Sequence, residues 1–193
     1  MTNQKTGILT GASCYLAGGM QFAQDNGIGW RNHFINMVDE KEIDLTVFDP
    51  TNKDQTRNRN HWSKEIKDEQ SYAIELKKNK NFDMLTQHVH NYRRYDLRLV
   101  DQCDLLVICV DTKIHLCGSY DELFQSERQK RPIFGIFPQG IDSAPDWLFD
   151  VLDWRTEMFQ TTDECVNHLA NIDKGLVELD SRWVLVTEKH FIT

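Results

Sequence analysis

Short β-prone runs alternate along the chain with longer stretches in which apolar residues recur every three or four positions. That order predicts a parallel sheet whose strands are joined by crossover helices. The first strand falls within ILTGASCYLAG, where residues 8–9 and 14–17 are the β-prone pieces on either side of Gly11. Beyond Gly18 and Gly19, the spacing of Trp30, Phe34, Met37 and Val38 predicts a helix ending near Asp39. DLTVFDP, residues 44–50, reads as a short strand closed by a proline that cannot donate to a ladder. Residues 51–81 are polar, with a helix expected over 64–77.

Met84, Leu85, Val89, Tyr92, Leu97 and Val100 predict a long helix from Phe82 to about Gln102. The run LLVICV, residues 105–110, has no polar alternation, so it is expected to be a strand buried on both faces, with Cys109 in the core. A helix over 119–130, a strand in PIFGIF and a short helix in APDWLFDVL follow, then a short strand around Met158. TTDECVNHLANI is a helix whose Thr161 and Glu164 stand at capping-box spacing, and RWVLVTE reads as a last strand at a sheet edge. The sum is an α/β protein, one domain over 1–193, with a three-layer, doubly wound sheet of about five parallel strands.

Composition narrows the function. With 40% hydrophobic and 27% charged residues the chain has the balance of a globular protein. Its formal charge of -8 argues against a nucleic-acid polymer as partner, because such binding draws on clustered Lys and Arg. No apolar run reaches the roughly 20 residues that cross a bilayer, and MTNQKTG lacks the apolar segment of a signal peptide. A cytoplasmic protein with no membrane contact is expected. The cysteines, 5 in number, form no C-x-x-C pair and read as reduced thiols. His88 and His90 would lie on different faces of a helix, so no metal site is expected.

In a doubly wound sheet ligands bind beyond the carboxyl ends of the strands, where the strand order reverses. The segments 18–30 and 111–122 should therefore meet. Glu122 stands in the expected first helical turn after LLVICV, just past Gly118 and Ser119, and faces that crevice. A carboxylate there is also favoured simply by the helix N-terminus. Tyr15 is equally readable as a strand aromatic, Asp96 as a solvated helix residue beside Arg93, Arg94 and Arg98, and Trp30 and Arg31 as pocket lining or, for the tryptophan, as core. Asp104, opening a strand, reads as structural.

CYLAGGM, Asp25 with GWR, VFDP, Asp96-Leu97 followed by Asp104 and the apolar strand, and Gly118-Ser119-x-x-Glu122 together resemble the nucleoside 2-deoxyribosyltransferase family over residues 14–136. The resemblance implies a flavodoxin-like fold and base exchange on 2′-deoxynucleosides without a cofactor. It makes Glu122 the nucleophile that forms a covalent glycosyl-enzyme, Tyr15 the residue that orients it, and Asp96 the group that contacts the base or moves its proton. Gly18, Gly19, Met20, Asp25, Trp30, Gly118 and Ser119 would line the substrate, a nucleoside or nucleotide with a free nucleobase. A homo-oligomer is implied too, in which the tail RWVLVTEKHFIT could close a neighbour's site. The sequence departs from the family at Gly19, where proline is usual, and ahead of Gly118. There Ile114, His115, Leu116 and Cys117 replace the acidic residue that holds a sugar 5′-hydroxyl. His115 or Ser119 would suit a 5′-phosphate, which turns the alternative toward an N-glycosidase of deoxynucleoside 5′-monophosphates. A module that binds nucleotides without reaction is the rival from another class.

Overall fold

The computed structural model describes residues 7–52 and 66–188. Five parallel strands, β1 (Ala12–Gly18), β2 (Leu45–Phe48), β3 (Leu105–Cys109), β4 (Ile133–Ile136) and β5 (Met158–Phe159), form one sheet in the order β2-β1-β3-β4-β5. The helices are α1 (Ile28–Glu40), α2 (Ile66–Lys78), α3 (Phe82–Gln102), α4 (Cys117–Arg128), α5 (Leu148–Val151), α6 (Thr162–Asp173) and α7 (Val184–Glu188). This is the expected doubly wound, flavodoxin-like architecture. Strand order reverses between β1 and β3, which pair from Cys14 opposite Leu105 to Gly18 opposite Cys109.

Alternate residues of the strands feed two cores. Cys14 and Leu16 of β1, with Leu105, Val107 and Cys109 of β3, pack against Phe34 and Val38 of α1 and Val166 and Leu169 of α6. Tyr15 and Ala17, with Leu106 and Ile108, face Leu99 and Val100 of α3, Leu123 of α4 and Leu148 of α5. Because the strands are covered on both sides, β3 can be apolar at every position. At the amino end of the sheet Asp104 acts as a bracket: its Oδ2 accepts from the Ser13 amide and hydroxyl, each at 2.8 Å. That confirms its structural reading and places it at the opposite end of β1 from the glycines.

Four local expectations need correction. Residues 8–9 belong to a turn before β1, closed by the Ala12 amide on Leu9 O and by Gly11 at φ 74. The α4 helix starts two residues earlier than expected, at Cys117, so Glu122 stands in its second turn. The helix N-terminus is thus not the reason for a carboxylate there. In α6, Thr161 Oγ1 accepts from the Glu164 amide as a cap, but Glu164 reaches back to the Gln160 amide, one residue before the cap.

RWVLVTE is not a strand: residues 181–183 form a 3-10 turn that continues into α7. Trp183 and Val186 are buried, three apart, while Val184 and Leu185 between them are exposed, which is helical spacing and not alternation. Asp180 accepts from the Arg182 amide at 2.8 Å to start the turn, and the Arg182 guanidinium binds Glu157 at the foot of β5. The expected helix over 64–77 is seen from Ile66. Its first two residues, most of the polar stretch 51–81 before it, and the end of the tail from 189 lie outside the described residues.

Candidate active site

The loop after β1 and the loop after β3 meet at the carboxyl end of the sheet. A Cβ on Gly19 would come within 2.3 Å of Ile114 Cδ1 and 2.9 Å of Leu116 Cδ2, so only glycine lets these loops approach so closely without displacing those side chains. Farther out, the Phe22 and His115 rings stand edge to face at 5.6 Å.

Below this contact lies the central pair. Tyr15 of β1 donates its phenolic hydrogen to Glu122 Oε1 of α4 at 2.8 Å, a bond between residues far apart in sequence and both buried. Asp96 of α3 is buried beside them at 6% exposure and acts on both through its charge. Burial first, and then the charge of Asp96, push the Glu122 carboxyl from 4.5 up to about 8, against the opposing pull of the Tyr15 hydrogen bond and the Arg31 charge. Burial also drives the Tyr15 phenol well above its ordinary value, with the Glu122 charge next in weight. Tyr15 therefore stays a donor, and Glu122 is a carboxyl that gives up its proton only near the top of the physiological range.

Arg31, read from the sequence as pocket lining within GWR, has a larger place in the structure. It is fully buried, and no other buried cation occurs among the described residues. Its Nε and Nη2 donate to Leu16 O at 3.3 Å, Nη2 to Gly18 O at 3.0 Å and Nη1 to Gly27 O at 2.7 Å. Asp49, just past β2, pairs with Nε at 3.5 Å. Desolvation lowers the guanidinium's pKa, and Asp49, Tyr15 and Glu122 act against it in that order. The signal in the sequence was a lone arginine following a glycine-rich turn. Its burial depended on the distant Asp49, which no local pattern reveals.

The other expected substrate residues divide. Asp25 closes the entry to α1: its oxygens accept from the Gly27 and Gly29 amides at 2.9 and 2.7 Å. Partial burial opposes ionisation of Asp25, but those amides outweigh it and hold the carboxyl below its usual range. Trp30 is half-buried, with the Arg31 guanidinium 4.7 Å over its ring, so it belongs to the wall beside Gly18. Met20 opens the turn, its carbonyl accepting from Ala23. Gly118 is exposed with open space where a Cβ would stand, and Ser119 is buried one turn before Glu122. Gly18, Gly19, Gly118, Ser119, Tyr15 and Glu122 are thus gathered at one end of β1 and β3.

Among the described residues no group of three His, Cys, Asp or Glu side chains is arranged to hold a metal ion, and no helix is long and apolar enough to cross a membrane. All 5 cysteines are free, and Cys117 is the exposed one.

No family model and no curated protein matches the chain. Among solved structures it is similar to a 2-deoxyribosyltransferase from the psychrotolerant bacterium Bacillus psychrosaccharolyticus, at 15% identity over 81% of this chain and 91% of that one, with a TM-score of 0.52. A conserved protein from Enterococcus faecalis V583 aligns at 14% identity over 92% and 87% of the two chains, with a TM-score of 0.40. At such identities what the first likeness shows is the fold: the five-stranded parallel sheet of this chain is shared with a 2-deoxyribosyltransferase.

Proposed function

We propose that the protein exchanges the base of 2′-deoxynucleosides through a covalent sugar bound to Glu122. The observation that carries this reading is the buried bond from Tyr15 to Glu122 beside a second buried carboxylate, Asp96, next to the two strands between which the strand order reverses. A carboxylate at such a point can attack the anomeric carbon, and a neighbouring acid can serve the leaving group, as in a retaining glycosidase. Glu122 hands its proton to the Asp96 carboxylate and forms a bond to C1′ while the bond from C1′ to the base nitrogen breaks. Asp96 hydrogen-bonds the base and passes it the proton it needs to leave. Tyr15 holds the second face of the carboxylate so that one oxygen is aimed at the sugar. A new base then attacks C1′, frees Glu122 and returns a proton to the site, so no cofactor is consumed. The shared fold with a 2-deoxyribosyltransferase supports the reading at the level of architecture alone.

Incubation with deoxyinosine and free adenine tests it: deoxyadenosine is expected from the wild type and none from Glu122→Ala. A slow 2-fluoro deoxynucleoside should leave a sugar adduct on Glu122 detectable by mass spectrometry. Absence of both product and adduct would sink the proposal. A second reading, hydrolysis of deoxynucleoside 5′-monophosphates, is favoured by the α4 N-terminus, which has no side-chain cap and an open Gly118, with exposed His115 beside it. Monophosphates given alone would then yield free base and sugar phosphate.

A further inference from the structure

We propose that Arg31 is the positioning residue of this site, fixing the carbonyl end of β1 that carries Tyr15 and burying a positive charge there. The inference rests on the functional reading above but can be tested apart from it.

Geometry comes first. One planar guanidinium gathers Leu16 O and Gly18 O from the end of β1, Gly27 O from the start of α1, and the Asp49 carboxylate from the end of β2. Leu16 follows Tyr15 directly, so the plane that holds Leu16 O also sets the strand from which the phenol reaches Glu122. Such a fork of donors cannot be replaced by lysine, whose ammonium lacks the fixed plane. The same turn is built around the arginine: a Cβ on Gly27 would lie 2.5 Å from Arg31 Nη1 and 2.3 Å from Gly19 O.

Charge comes second. Asp49, Asp96 and Glu122 are buried carboxylates, Asp49 and Arg31 on elements at one face of the sheet and Asp96 and Glu122 on helices at the other, and Arg31 is the buried cation among the described residues. The groups acting on Glu122 are Tyr15 from β1 by its hydrogen bond, and Asp96 from α3, Arg31 from α1 and Asp121 from its own helix through their charges; of these, Tyr15 and Arg31 favour its charged form. Asp49, paired with the guanidinium Nε at 3.5 Å, offsets part of that positive charge.

The signs of two substitutions follow. Arg31→Gln removes the cation, so Glu122 should titrate at higher pH than in the wild type. Asp49→Asn removes the opposing charge and should move the titration lower. A variant that merely loosened the packing would admit water and lower the midpoint, which is the opposite of what Arg31→Gln should do. The experiment is carboxyl-carbon NMR of protein with labelled glutamate, the Glu122 signal being assigned with Glu122→Gln. Unmoved midpoints in both variants, or a fall in Arg31→Gln, overturn the proposal whatever the activity. Should Arg31→Gln fail to fold, the near-isosteric Asp49→Asn decides. Arg31→Lys keeps the charge and loses the fork: its midpoint should stay near the wild type while kcat for base exchange falls roughly tenfold or more, with KM little changed. A normal kcat there overturns the positioning half. Failure of the wild type to exchange bases would fell the functional reading and leave the titration to judge Arg31.

Discussion

Tyr15 and Glu122, the centre of the proposed reaction, share one hydrogen bond whose two ends respond differently to burial. The phenol is driven to remain protonated and the carboxyl to hold its proton up to about 8, so at neutral pH the pair is poised with Glu122 largely in its acid form. At pH 7 a carboxyl of that kind is ionised in about one molecule in ten. Base exchange should therefore rise with pH toward about 8, on the limb that reports Glu122 in the free enzyme. Tyr15→Phe removes a donor that favours the carboxylate, so the limb should move to higher pH and kcat should fall about 10²-fold. It also leaves a buried carboxylate oxygen without its donor, at a cost of about 1–3 kcal/mol above pH 8. A pH profile of kcat/KM with melting curves checks both; an unmoved limb would mean that the bond does not govern the ionisation.

The elements that carry these residues were legible to different degrees, and the reasons are physical. β3 was readable because burial on both faces leaves an unbroken apolar run, and α3 because its apolar positions keep helical spacing over 21 residues. The tail misled because WVLV is β-prone by residue type, whereas its conformation is decided by a turn at Asp180 and by Trp183 packing 6.1 Å from Phe134. The start of α4 was misplaced because Leu116 offers no side-chain cap to mark it. That same bare first turn gives a contrast between glycines. Gly118 has no neighbour where a Cβ would stand, so Gly118→Ala should keep or raise the melting temperature, by up to about 0.5 kcal/mol of stability, while KM for the nucleoside rises as the edge closes. Gly27, at φ 72 and crowded by Gly19 O, is the reverse: Gly27→Ala should lose about 2 kcal/mol or more, read as a lower melting temperature. A Gly118→Ala protein with unchanged KM would remove that residue from the substrate's path.

At the scale of the whole molecule, the sheet order brings β1, α3 and α4 together and thereby sinks two carboxylates into one apolar layer. Tyr15, Asp96 and Glu122 were singled out by the resemblance to the nucleoside 2-deoxyribosyltransferase family, whereas spacing alone left each of them an ordinary strand or helix residue as well. Neither could point to the buried ion pair of Arg31 with Asp49, which exists only once β2 lies beside β1. Burying Glu122 has a cost that global stability should report. The unfolded chain releases this proton near 4.5 and the folded chain near 8, so between those values the folded state binds more protons. Stability from this group is then full below pH 4.5, declines as pH rises, and is lost above about 8. Asp25, held below the usual carboxylate range, works oppositely and only at the acid end, so the two windows do not overlap. Glu122→Gln keeps an oxygen for Tyr15 and carries no charge, so it should match the wild type near pH 5 and exceed it by a few kcal/mol at pH 9. Denaturant or thermal melts of both proteins at the two pH values make the comparison. Equal stability at pH 9 would show that Glu122 is already ionised well below neutrality, and the poised nucleophile would have to be given up.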